Sequence, residues 1–178
     1  MNEQILDTLA NVGITLAAFS GVVVAFRAGG SEKWSAPEMR VLMFLVVDSF
    51  VVVVLALLPV PLTLADMSEE WTWGLCSALL GSWFVLGVVL AIVGDRRDRS
   101  RGKARITVPV VTPLLYVVGL LGLPAGIALW LSAFDIVPRG QAVFVAGLIV
   151  LLVFAAIEFL FLIALGARRT GTGRTAGD

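Results

Sequence analysis

Five apolar stretches, residues 5–26, 36–64, 73–93, 108–133 and 142–167, take up nearly all of this 178-residue chain. At about 1.5 Å of rise per residue, each is long enough to cross a hydrocarbon core as an α-helix. The expected fold is therefore all-α, a polytopic transmembrane helix bundle of five spans over 1–167. A short disordered tail at 168–178 completes it, and no separate soluble domain is expected. Composition agrees: 59% hydrophobic residues, 15% charged residues and a mean hydropathy of +1.00 lie well outside the range of an ordinary soluble domain.

The first stretch is the most polar, with Asp7, Asn11, Thr15 and Ser20. A signal peptide would need Lys or Arg ahead of it, whereas this chain offers Glu3 and Asp7, so a retained span is expected, with a tilted interfacial helix as the alternative. Ser35, Pro37 and Glu38 form a capping pattern that starts the second span. Pro59 and Pro61 are expected to bend or end it. Ser68 followed by Glu69 and Glu70 suits a new helix start, and Trp71 and Trp73 fit a headgroup-level aromatic belt. The third span is expected to stop at the charged run beginning with Asp95. Pro109, Pro113 and Pro124 predict a fourth span that is not straight.

Twelve of the thirteen Lys and Arg residues partition to one side when the five spans alternate. Arg96, Arg97, Arg99, Arg101, Lys103 and Arg105 form the strongest cluster, and Arg27, Lys33, Arg40, Arg168, Arg169 and Arg174 fall with it. Arg139 alone faces the other side, against Glu3, Asp7, Asp66, Glu69, Glu70 and Asp135. Short loops rich in Lys and Arg stay cytoplasmic, so the amino terminus is expected outside and the carboxyl terminus inside, in a cell membrane, the inner membrane if the source is bacterial. The same cluster can hold the anionic headgroups of the bilayer. This charge asymmetry is a membrane pattern, and no nucleic-acid partner is expected.

Asp48 and Glu158 need a physical reason, because each sits among Val, Leu, Ile and Phe in the middle of a span. A charged side chain at mid-span costs about 2.5 to 3.5 kcal/mol on insertion scales, so each must be partnered, protonated or open to water. Asp48 lies roughly 12 Å along the helix from Arg40, and Glu158 roughly 15 Å back from Arg168, at about 1.5 Å per residue. Matched depth lets them share a site, as a proton-holding pair or a cation site. The structural alternative is an anchor, accepting a bond from a hydroxyl or a Trp N–H, or pairing with Arg27, Arg40 or Arg168 reaching in from the interface. Asp7, Asn11 and Thr15 make a further polar line on one helix face, expected to face protein or a water-filled space.

Gly13, Ala17, Gly21 and Ala25 recur every four residues, as do Gly122 and Gly126, and Gly74, Ala78 and Ser82. Such lines read as helix packing, within or between chains. Mid-span Trp83 reads as core in the same way. Cys76 is the only cysteine and there is no histidine, so no metal site and no cofactor are expected. The P-loop, HExxH and CxxC patterns are missing, and no nucleophile arrangement stands beside Asp48 or Glu158. Five spans also do not divide into two equal inverted halves. The reading that remains is a component of an ion- or proton-coupled transporter or channel, working as an oligomer or with another membrane protein. Its alternative is a non-catalytic accessory protein that packs against partner membrane proteins.

The charge partition makes a direct prediction. In a Cys76-free background, Ser100→Cys and Glu69→Cys are labelled by an impermeant thiol reagent from opposite sides of the membrane. Labelling of both from outside intact cells rejects the orientation.

Overall fold

The prolines and the acidic turns set the element boundaries. The computed structural model describes residues 3–28, 36–100 and 111–172, and among them every regular element is helical. The order is α1 (Glu3–Ala28), α2 (Ala36–Leu57), α3 (Pro59–Leu64), α4 (Glu69–Ser100), α5 (Val111–Ala133) and α6 (Gln141–Thr172). Four stretches are long and apolar enough to cross a membrane: Gln4–Ala25, Val41–Leu64, Glu69–Leu90 and Gln141–Ile163. In α5 the described apolar part, Leu121–Ala133, is shorter. The chain is a polytopic helical membrane protein, with four of the five predicted spans meeting that length on the described residues.

The second span breaks where its prolines predict. α2 ends at Leu57 and α3 restarts at Pro59, in the first turn, where a missing N–H removes no helical bond. α3 and α5 then stop in the same way. Asp66 and Asp135 adopt left-handed backbone, with φ of 55° and 63°. The Met67 amide bonds the Leu62 carbonyl and the Ile136 amide the Leu131 carbonyl, which closes the carbonyls each helix would leave open. Short polar Asp is one of the few side chains that tolerates this conformation.

Two boundaries differ from expectation. α4 does not stop at residue 93 but continues through Arg96 and Arg97 to Ser100, and α6 runs past Ala167 through Arg168 and Arg169 to Thr172. Leaving hydrocarbon ends the apolar pattern but not the backbone hydrogen bonding, and Arg is a good helix former. Residues 168–172, assigned to the tail by composition, are thus helical, and 173–178 lie outside the described residues. So do Ser35, the expected cap of the second span, and 101–110.

α6 occupies the centre, touching α1, α2, α4 and α5, while α1 pairs with α2 and α4 with α5. One apolar cluster joins Leu6, Leu55, Trp73, Cys76, Phe144 and Phe154. A second joins Leu42, Leu45, Ala155 and Leu162 at the opposite end. The end bearing Glu3, Asp66, Glu69 and Asp135 is accordingly acidic. Trp73 corrects the belt assignment: it is buried, packs on Phe144 at 5.9 Å between ring centroids, and donates its N–H to Glu69 Oε1 at 3.2 Å. Trp71 stays exposed.

The glycines separate into packed and free. A Cβ on Gly81 would lie 2.9 Å from the Trp130 ring and 3.2 Å from the Gly126 carbonyl oxygen, so α4 and α5 meet backbone to backbone there. Gly122 faces Phe154 and Phe84, as its packing role requires. In α1 the four-residue line divides, because four residues turn about 400° and the face drifts by about 40° at each step. Gly13 lies tight against Ser49 and Val53, whereas Gly21 meets no atom within 4 Å. Gly81→Val is expected to lower stability in detergent by about 1 to 3 kcal/mol through overpacking, while Gly87→Val, in open space, changes it by roughly 0.5 kcal/mol or less. Unfolding midpoints of the two variants check this.

Candidate functional site

The two apolar clusters do not meet on α2. Val51 and Val52 belong to one and Leu45 and Val46 to the other, and between them come Asp48 and Ser49, both buried. Ser49 disposes of its hydroxyl locally, donating to the Leu45 carbonyl one turn back at 2.7 Å. Asp48 has no such option, because a carboxylate only accepts. Its partner comes from another helix: Trp83 of α4 donates its indole N–H to Asp48 Oδ1 at 2.9 Å. The bond ties α4 to α2 across side chains 35 residues apart in sequence.

Glu158 of α6 completes the arrangement. α2 and α6 pack along each other, and Glu158 lies within electrostatic range of Asp48, as the matched depths suggested. The environment of Glu158 is less complete. Its Oε2 is shielded from solvent and has no hydrogen-bond partner among the described residues. A shielded, unpartnered acceptor costs roughly 1 to 3 kcal/mol or more, which makes Glu158 the strained member of the pair. Two carboxyl groups thus lie on adjoining helices, one bonded to Trp83 and one with an oxygen unmet among the described residues. Among the described residues no group of three or more His, Cys, Asp or Glu converges for a metal ion.

Of the structural partners considered for these acids, the Trp N–H is found for Asp48, and the side chains of Arg27, Arg40 and Arg168 lie outside the described set. Asp7, Asn11 and Thr15 are not brought to the pair. All three are exposed on α1 in the single chain, so the protein or water-filled space expected to face them is not supplied by its other described helices. Thr15 donates to the Asn11 carbonyl at 2.8 Å, so its hydroxyl is satisfied within the helix. In the basic cluster, Arg96 and Arg97 are exposed on the last turns of α4. The Arg99 side chain and the whole of Arg101, Lys103 and Arg105 lie outside the described residues.

Sequence reasoning read Trp83 as core and so missed its role. The signal was available: Trp83 lies ten residues before Val93, roughly 15 Å from that end of the apolar stretch, which is the depth that pairs Asp48 with Glu158. A second polar group sits at the acidic end. The Arg139 guanidinium lies over the Trp71 ring at 5.5 Å, its Nε stands 4.0 Å from Asp135 Oδ1, and its side chain lies beside Gly74, where an added Cβ would make ordinary contact at 3.5 Å. Arg139 is thereby set against an aromatic face and one acid, while its Nε has no hydrogen-bond partner among the described residues.

The chain matches no protein-family model, and neither the curated proteins nor the solved structures contain a significant match to it.

Proposed function

We propose that this protein is a component of a proton- or cation-coupled transporter or channel, with Asp48 and Glu158 as its ionisable centre. The chain crosses a cell membrane five times with α5 as the fourth crossing, its amino terminus outside and the basic end of the bundle facing cytoplasmic anionic headgroups. The twelve-to-one partition of basic residues supports that orientation. The observation that carries the functional reading is the unpartnered Oε2 of Glu158 beside the Trp83-tethered Asp48. An anchor needs its acceptors filled, whereas a site that loads and releases a cation needs one left open.

The chemistry follows from charge cost. Two uncompensated negative charges in hydrocarbon are too expensive to persist, so the pair works with one positive charge, H⁺ or a monovalent cation, shared between the carboxyl groups. Trp83 holds Asp48 Oδ1 in place through the cycle, and Glu158 supplies the free oxygen that meets the incoming ion. Five helices enclose little space, so the transport path is completed by further copies or by another membrane protein.

In proteoliposomes of the purified protein, a potassium–valinomycin potential drives proton or sodium entry. Asp48→Asn and Glu158→Gln lower that flux about tenfold or more while membrane level and helicity stay unchanged, since each amide keeps the shape but cannot exchange a proton. Infrared difference titration across about pH 4 to 9 shows a carboxyl band lost in the same variants. Wild-type flux no greater than empty vesicles, or unchanged in both variants, rejects the reading.

One observation favours the accessory role instead: the Trp83 bond gives Asp48 a structural partner. If anchoring is its whole task, Trp83→Phe and Asp48→Leu destabilise the bundle with a coupling of about 1 kcal/mol in a double-mutant cycle, and no flux depends on either.

A further inference from the structure

Half of α1 is uncovered. Leu6, Leu9, Ala10, Gly13 and Ser20 turn inward, whereas Asp7, Asn11, Ile14, Ala18, Gly21 and Ala25 are all exposed. The exposed six are spaced four, three, four, three and four residues apart. That repeat keeps a seam in register with one partner helix crossing at about 20°.

Asn11 indicates what covers it. It lies roughly 5 Å from the midpoint of Gln4–Ala25, well inside a span, and no bond to its side-chain amide is present among the described residues. Lipid tails offer it nothing. A carboxamide both donates and accepts, so the same residue on a second copy satisfies it reciprocally. Below Asn11 the seam narrows to Ala18, Gly21 and Ala25, where two backbones can approach, and Gly21 has open space at its Cβ position. Beside it lies a shallow apolar groove of ≈ 320 Å³ between α1 and α2, lined by Ile14, Ala17, Ala18, Phe50 and Val53.

We propose that α1 pairs in parallel with α1 of a second copy of this chain, about a twofold axis along the membrane normal, through this seam. Two copies inserted with one orientation present the same face to each other, as a twofold interface requires. Asp7 is one turn from the start of α1, at the end of the seam rather than in its middle. The proposal rests on the membrane-spanning reading of α1 and supplies an interface for the oligomer of the proposed function, but it does not depend on ion transfer at Asp48 or Glu158.

Single cysteines are introduced into a Cys76→Ser background in proteoliposomes and oxidised with copper phenanthroline. Asn11→Cys, Ile14→Cys, Ala18→Cys and Gly21→Cys form covalent dimers, and Val12→Cys, exposed on the other flank of α1, forms about fivefold fewer. At fixed protein-to-lipid ratio Asn11→Leu, which stays apolar, weakens dimerisation about tenfold, and Asn11→Gln restores it. Monomer at every ratio, or cross-linking that peaks at Val12, overturns the interface. Flux and the carboxyl band are read on the same vesicles, so failed cross-linking with intact flux rejects the interface alone, and lost flux with intact cross-linking rejects the ion site alone.

Discussion

Hydrocarbon offers no hydrogen bonds, and most of this molecule follows from that one deficiency. Backbone groups must be satisfied within each crossing segment, which makes the spans helical. The helix ends at Asp66 and Asp135 close their carbonyls with the amides of Met67 and Ile136. Many hydroxyls meet the same demand, while those of Thr72, Ser77 and Ser132 are buried without a hydrogen-bond partner among the described residues. Thr8, Thr15, Ser20, Ser49 and Ser82 each return a bond to a carbonyl three or four residues back, so a polar side chain can sit in a span without a partner helix. Carboxylates cannot donate and therefore cannot use this device. Asp48 consequently draws an indole from α4, and Glu158 is left with an oxygen unmet among the described residues.

The same solvent removes the usual force between helices. Lipid tails are as apolar as Leu, so helix association depends on close packing and on the few polar contacts. Close packing is achieved where glycines face each other, as Gly81 and Gly126 do, and where larger side chains fill the space beside α6, as Leu80 and Leu129 do over Gly147. Polar contact is concentrated in one layer between the two apolar clusters, where α2, α4 and α6 come together through Asp48, Trp83 and Glu158. A charge change in that layer acts on three helices at once. The exposed side of α1 offers the complementary case, a polar residue in a span, Asn11, with no side-chain partner among the described residues.

Much of this was legible from residue order. The apolar lengths specified helices, Pro59 and Pro61 specified the break after α2, and the distances of Asp48 and Glu158 from flanking basic residues matched their depths before any packing was known. Helix ends in charged segments were not legible: Asp95 to Ser100 and Arg168 to Thr172 leave the apolar pattern while their backbone bonding continues. Four-residue small-residue lines were only partly informative, since the drift of a 3.6-residue helix turns Gly13 inward and Gly21 outward.

Residue order alone determined the helical class, the polarity of charge along the chain and the presence of two acids too deep to be incidental, because each depends on a local property: hydrophobicity, charge or rise per residue. Tertiary structure decided which helices adjoin. Only the central position of α6 brings Glu158 toward Asp48, only the packed bundle lets Trp83 reach Asp48, and only the outward rotation of α1 leaves Asp7, Asn11 and Thr15 uncovered. Those outcomes depend on which faces of separate helices meet, and no stretch of sequence shorter than the whole bundle contains that information.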